Sequence, residues 1–293
     1  MFGMSNPAWN FLKAHGTEND FVVLVDPEVS IELSESTVQQ LADRRAGIGG
    51  DGVIRIATAG KLLERGVLNE LPGDCQESEW FMDYRNSDGS LAEMCGNGVR
   101  VFAHVLAEQG LVPVEGETHF GIGTRDGRKA VTIHHADAQH AMVSVEMGSV
   151  TEIGDSRVEV AGIQATGLGV NVGNPHAVVI LSNLTQDSLR ELPVGQPVTW
   201  DPELFPHGVN VEVVTPLQAD AIHMRVHERG VGETRSCGTG TVAAAFAALR
   251  NAGRSEGTVA VNVPGGQVEV TLAEGRATLK GPSQIIATGE YRG

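Results

Sequence analysis

Cys95-Gly96-Asn97-Gly98-Val99-Arg100-Val101-Phe102-Ala103-His104-Val105-Leu106 and, half a chain later, Cys237-Gly238-Thr239-Gly240-Thr241-Val242-Ala243-Ala244-Ala245-Phe246 open alike: a cysteine, a turn holding two glycines, then small and apolar residues without proline. The pattern predicts helices over Cys95–Gln109 and Cys237–Asn251, stopped by Gly110 and Gly253, each with a cysteine at its N-terminus. The amides of a first helical turn are unpaired and the helix dipole favours negative charge there. A thiol at that position is biased toward thiolate, and a carboxylate can dock beside it. Two such cysteines in matching contexts point to a mechanism, whereas one alone would read as a small buried hydrophobe.

Outward from these turns, short β-branched segments dominate: Phe21–Val25, Gly52–Ile56, Ala130–His134, Met142–Met147, Ala177–Leu181, Val209–Val214, Ile222–His227, Val259–Val263 and Val268–Leu272. Further helices are expected over Ser36–Arg45 and Leu184–Glu191. The order repeats. Gly16–Asp20, Gly47–Val53 and Cys95 in the first half match Gly173–His176, Gly208–Asn210 and Cys237 in the second. Two similar halves facing one another would bring both helix starts to one cleft, with a boundary expected within Glu146–Asp155.

The composition sets limits. At 293 residues and 41% hydrophobic content the chain can build one large core or two ordinary ones. Three cysteines, no CxxC, and no basic-then-apolar leader in Met1–Lys13 suggest a reduced, cytoplasmic protein. With 21 Lys plus Arg against 37 Asp plus Glu, the formal charge of −16 disfavours nucleic acid and anionic membrane as partners and suits a small zwitterionic or cationic substrate.

If the cysteines flank one carbon, a thiolate on one side can remove a proton while a thiol on the other delivers one to the opposite face, inverting the centre without a cofactor or metal. Amides of Gly96, Asn97, Gly238 and Thr239 would meet the carboxylate where charge accumulates. Glu228-Arg229 opens a glycine-rich loop leading to Cys237. As a pair they suit an ammonium and a carboxylate, although such a pair is commonly a solvated turn. His176, after Asn174-Pro175, reads alone as structural, and Asn86 within Arg85–Ser90 as a turn former. Cys75 has no partner motif.

Together, Lys13–Phe21, Gly47–Gly52, Asn86–Ser90, Met94–Gly98, Gly173–His176, Glu228–Gly230, Gly232–Thr234 and Cys237–Gly240 resemble the diaminopimelate epimerase family, over Phe11 to about Gly289. The resemblance implies a pyridoxal-independent interconversion of LL- and meso-2,6-diaminopimelate. Its fold would be mixed α/β: two pseudo-symmetric domains, each a curved mixed sheet around a central helix, with the active site in the cleft between them. The domains would be 1–146, to which a last strand from about 283 returns, and 147–282. Cys95 and Cys237 would be the acid/base thiols, assisted by His176 and Glu228. Asn19 would lie near the reacting amino group, and Asn86, Asn174, Asn210 and Arg229 would grip the distal amino-acid end. A homodimer is implied as well.

Three departures stand out. Gly52 occupies a position where many members carry glutamine, Glu18 one that is often small or neutral, and the first ten residues precede the usual start and are expected to do little. The rival readings are a proline or hydroxyproline racemase of the same two-thiol fold, a zinc enzyme using Cys95, Cys237 and His176, and a binding module built on Gly47–Gly52. The first typically places histidine where Asn97 stands. In the second, thiolates held on zinc could not shuttle protons. In the third, Gly47–Gly52 lacks both the GxGxxG spacing and a Walker lysine.

Overall fold

Among the described residues, seventeen strands and five helices follow one another in a pattern that occurs twice. A computed structural model describes residues 8–292. In chain order the elements are β1 (Trp9–Gly16), β2 (Asn19–Val25), α1 (Glu35–Ala42), β3 (Gly52–Thr58), α2 (Ala59–Glu64), β4 (Trp80–Asn86), α3 (Gly96–Glu108), β5 (Thr118–Thr124), β6 (Gly127–Ala136) and β7 (His140–Ser149). They continue with β8 (Thr151–Val160), β9 (Ile163–Asn171), β10 (Pro175–Ile180), α4 (Gln186–Glu191), β11 (Thr199–Trp200), β12 (Asn210–Val214), β13 (Ala221–Glu228), β14 (Gly232–Thr234), α5 (Gly238–Asn251), β15 (Gly257–Val263), β16 (Gly266–Ala273) and β17 (Arg276–Tyr291). The chain divides into two compact units, Met1–Val145 with Pro282–Gly293, and Glu146–Gly281.

In the first unit the ladder runs β1 antiparallel to β2, β2 parallel to β3, β3 antiparallel to β4, β4 parallel to β5, and β5 antiparallel to β6. The second unit repeats this sequence: β9 antiparallel to β10, β10 parallel to β12, β12 antiparallel to β13, β13 parallel to β15, and β15 antiparallel to β16. In both, a short helix (α1 or α4) connects the first parallel pair and the long cysteine-headed helix (α3 or α5) connects the second. Parallel neighbours require such crossovers, which explains why the helices fall there.

Each long helix is wrapped by its own sheet. Eleven residues of α3, Gly96 through Leu106, are buried as it packs on β1, β2, β3, β4 and β6. The alanine-rich α5 is buried against β9, β10, β12, β13, β15 and β16. A helix apolar on all sides has to sit inside a core. Two polar residues in α3 need partners there. Buried Arg100 donates from Nε to the Pro282 carbonyl (3.2 Å) and from Nη2 to Thr17 Oγ1 (3.3 Å). One turn on, His104 bonds through Nδ1 to Ser283 Oγ (3.1 Å) and through Nε2 to the Asp137 carbonyl (2.9 Å). These contacts fasten the final strand to the first unit.

The helix expected over Ser36–Arg45 starts after Ser34, whose hydroxyl accepts from the Thr37 amide, and ends at Asp43, whose carboxylate accepts from the Arg45 and Ala46 amides. α4 begins two residues later than the expected Leu184, because Thr185 and Ser188 form a reciprocal cap. Of the first ten residues, 1–7 lie outside the described residues. Trp9 and Asn10, expected to contribute little, are instead part of β1, paired with Tyr291 and Glu290, and the Trp9 ring lies 6.0 Å from that of Tyr291. Among the described residues no helix is long and apolar enough to cross a membrane.

Candidate active site

Both cysteines occupy the N-cap position of their helices, with extended backbone at Cys95 (φ −143°) and Cys237 (φ −127°). In the first unit, Cys95 Sγ accepts from the Gly98 amide (3.3 Å) and donates to Asn19 Oδ1 (3.6 Å), which also accepts from Asn97 Nδ2 (3.1 Å). The amide of Asn19 is oriented by Asp51, whose Oδ2 accepts from Asn19 Nδ2 at 2.7 Å, and Asp51 is in turn paired with Arg44 at 2.7 Å. Asn19 reaches this place through a two-residue hairpin between β1 and β2. Thr17 (φ 50°) and Glu18 (φ 60°) are both left-handed, as a type I′ turn demands, and the carboxylate of Glu18 lies on the exposed turn.

A buried guanidinium lies close enough to Cys95 to act on it. Burial pulls Arg100 down to about 10, partly offset by the charge of the Cys95 sulfur, and Arg100 pairs with no carboxylate among the described residues. The uncompensated cation favours negative charge on that sulfur.

Gly52 has little room for a longer side chain. A Cβ there would lie 2.5 Å from the Tyr84 ring and 2.5 Å from the Arg85 carbonyl. Tyr84 occupies that space and donates from its hydroxyl to Asn86 Oδ1 (3.1 Å). Asn86 also donates to Ser90 Oγ (3.0 Å), so it does form the turn its sequence suggests while sharing a sheet face with Gly52 and Tyr84.

In the second unit the register places His176 beside Asn210 and Val211 opposite His227. Side chains alternate along strands, so His176, Asn210, Glu212 and Glu228 share the α5 face, while Ala177, Val179, Val211 and Val213 form an apolar core on the other with Leu189 of α4. Cys237 is pushed well above the ordinary thiol range, first by burial and then by the charges of Glu228 and Glu212. A contact with Thr239 Oγ1 (3.5 Å) and the Gly240 amide oppose this.

Glu228 accepts from the Thr234 hydroxyl, which ties it to β14. Asn210 donates to the Pro175 carbonyl (3.2 Å) and accepts from the Arg229 amide (2.9 Å), clamping the ends of β10 and β13 together. The exposed Arg229 side chain reaches the His207 carbonyl (3.2 Å). His176 bonds to Glu212 and Asn174.

Gly96, Asn97 and Gly238 are buried, and half-buried Thr239 follows in the first turn of α5. Asp51, Tyr84, Arg100 and Glu212 were not singled out from sequence. Arg100 and His104 lie four apart in an apolar helix, and that spacing was the available signal. Glu212 carried none, since Asn210-Val211-Glu212-Val213 reads as an ordinary half-exposed strand. Among the described residues no three His, Cys, Asp or Glu gather as a metal-binding group.

The family model for diaminopimelate epimerase matches residues 11–153 and 168–290. The diaminopimelate epimerase of Rhodococcus opacus (strain B4) is 55% identical over 280 residues, covering 96% of each chain. That of Mycobacteroides abscessus is 53% identical over 283 residues, covering 96% of this chain and 95% of its own. Among solved structures, a PhzF-family phenazine biosynthesis protein from Bacillus anthracis superposes with a TM-score of 0.69 at 14% identity, covering 98% of this chain and 99% of that one. A hydroxyproline epimerase from Agrobacterium vitis gives 0.64 at 15%, covering 99% and 92%. At those identities the likeness concerns the fold.

Proposed function

The chain belongs to the diaminopimelate epimerase family, and from that premise we propose that it interconverts LL- and meso-2,6-diaminopimelate through the two helix-capping thiols. The thiolate of one cysteine accepts the α-proton. The electron pair left on carbon is delocalised into the adjacent carboxylate, and the thiol of the other cysteine delivers a proton to the opposite face. Configuration inverts, and the two sulfurs exchange protonation states, ready for the reverse direction. First-turn amides of Gly96, Asn97, Gly238 and Thr239 receive the carboxylate as charge builds on it.

The observation that carries this reading is the matched N-cap geometry of Cys95 and Cys237 on two helices of the same topology. Asn19 is assigned to the reacting ammonium, a reading supported by its oxygen, which Asp51 holds toward Cys95. Asn86, Asn174, Asn210 and Arg229 are assigned to the distal amino-acid end, and His176 and Glu228 to the Cys237 side, on the family resemblance. So are the cytoplasmic location, the homodimer and the independence from pyridoxal phosphate and metal. Incubation with LL-diaminopimelate in heavy water, without added cofactor or metal, should yield the meso isomer deuterated at the inverted centre. Unchanged, unlabelled substrate would refute the reading.

A further inference from the structure

Glu212 is a fully buried carboxylate flanked by valines in β12, and it has an internal control. The two ladders share one register: Phe21 pairs with Gly52 as His176 pairs with Asn210, so two residues on, Ile54 in β3 is the counterpart of Glu212 in β12. The helix contacts agree. A Cβ on Gly98 would lie 3.5 Å from Ile54 Cδ1 and 3.6 Å from Cys95 Sγ, and one on Gly240 would lie 2.7 Å from Glu212 Oε1 and 3.4 Å from Cys237 Sγ. The fold therefore accepts an aliphatic side chain at this position. A buried carboxylate costs several kcal/mol of desolvation unless it is well paired. Glu212 Oε1 meets His176 Nδ1 at 2.6 Å with both side chains fully buried, and Oε2 has no hydrogen-bond partner. The other ring nitrogen, Nε2, lies 2.9 Å from Asn174 Oδ1.

Resting on the function proposed above, we infer that Glu212 is a positioning residue which, through His176, fixes the side-chain amide of Asn174 with its NH2 group turned toward the substrate. Glu212 Oε1 holds the ring at Nδ1 and so fixes where Nε2 points. The Asn174 oxygen only accepts, so the ring donates to it from Nε2 and that oxygen is consumed. What remains is an amide NH2 of fixed direction, suited to a carboxylate of the amino-acid substrate. Without the Glu212 carboxylate the ring loses its partner at Nδ1, Nε2 is no longer held against the Asn174 oxygen, and the amide is free to turn that oxygen to the same carboxylate. The first unit also fixes its asparagine with a carboxylate, but by the opposite end: Asp51 accepts directly from the NH2 group of Asn19 and leaves the oxygen toward Cys95. The other ionisable groups on this face and at the start of α5 are Glu228 and Cys237.

The test uses full-length protein labelled with 15N in its histidine rings, alongside Glu212→Gln and Glu212→Ile, the latter copying the first unit. In the wild type Nε2 of His176 should carry a hydrogen and show coupling across a hydrogen bond to Asn174, and each variant should lose that bonded Nε2 signal. In steady state both variants should raise KM for diaminopimelate about tenfold while kcat changes less than KM, the size expected when one hydrogen bond to a charged group is lost. A wild-type ring whose Nε2 carries no hydrogen overturns the inference. So do variants that only change thermal stability and leave KM and the ring unaltered. The ring spectra need no substrate, so they decide the matter even if diaminopimelate proves not to be epimerised.

Discussion

The starts of α3 and α5 are built to one plan and charged in opposite ways. Cys95 sits with a methyl of Ile54 across from its helix turn and the buried guanidinium of Arg100 within reach, and Cys237 sits with the carboxylates of Glu212 and Glu228. One geometry thus places two sulfurs in different electrostatic surroundings. Duplication of a fold supplies two reactive positions, and a few buried substitutions make them unequal. The proposed two-base inversion begins with one sulfur charged and the other protonated, and these surroundings favour the charge on Cys95.

The comparison fails outright if either thiol is dispensable. Cys95→Ser and Cys237→Ser should each lower turnover by roughly a thousandfold or more, since a serine hydroxyl is a far weaker base and acid pair near neutral pH. Isomer formation measures this, and circular dichroism should show the fold intact.

The next largest effect separates the units by where each keeps its buried charge. In the second unit it lies on the face toward α5. In the first, Asp83 and Arg55 lie on the face of β3 and β4 away from Gly52 and Asn86. Burial would raise the Asp83 carboxyl, yet the charges of Arg125, Arg55 and Arg85 outweigh it and hold it below the ordinary carboxylate range. A depressed folded-state value means its stabilising contribution is complete above the unfolded-state value near 4 and is lost as pH falls through the folded one. Asp83→Asn should cost about 3 kcal/mol at pH 7, by the usual penalty for breaking a buried pair, and less as the pH is lowered. Denaturant titration at several pH values checks both the size and the trend.

The paired glycines give a finer contrast. A Cβ at Gly98 meets Cys95 Cβ at 3.4 Å and Ile54 Cδ1 at 3.5 Å, ordinary contacts, whereas at Gly240 it meets the Glu212 carboxylate at 2.7 Å. Gly98→Ala should leave stability unchanged or raise it by up to about 1 kcal/mol through helix propensity. Gly240→Ala should lower it by about 1–3 kcal/mol through overpacking. Equal effects in thermal melts would contradict the assigned difference between Ile54 and Glu212.

The smallest expected effect is on alkylation. At pH 7.5, iodoacetamide should modify half-buried Cys95 about tenfold faster than Cys237, whose thiol is buried and held well above the ordinary range. Peptide mapping at short times reads the order. Faster labelling of Cys237 would reverse that polarity.

Much of the site was legible because its signals are local. A cysteine followed by glycines at a helix start, an asparagine beside a tight turn and a Glu-Arg pair before a glycine loop each announce themselves within a few residues. Other elements were missed for want of such signals. The 16 residues of β17 mix threonine, lysine, glycine and glutamine without clean alternation, and β4 hides its strand period behind Asp83 and Arg85. Arg100 and His104 look like the wet side of a helix until Pro282 and Ser283 cover them. Glu212 looks outward-facing until α5 covers that face of β12.

By itself, then, the order of amino acids determined the two helix starts, the strands that alternate cleanly and the duplication of the plan, because capping, periodicity and turn chemistry act over a handful of neighbours. Only the tertiary structure decided which charges stand beside which sulfur. Those partners, Arg100 with Cys95 and Glu212 with Cys237, depend on how separate strands and helices are brought into contact, and burial gives them an electrostatic weight that no local pattern records.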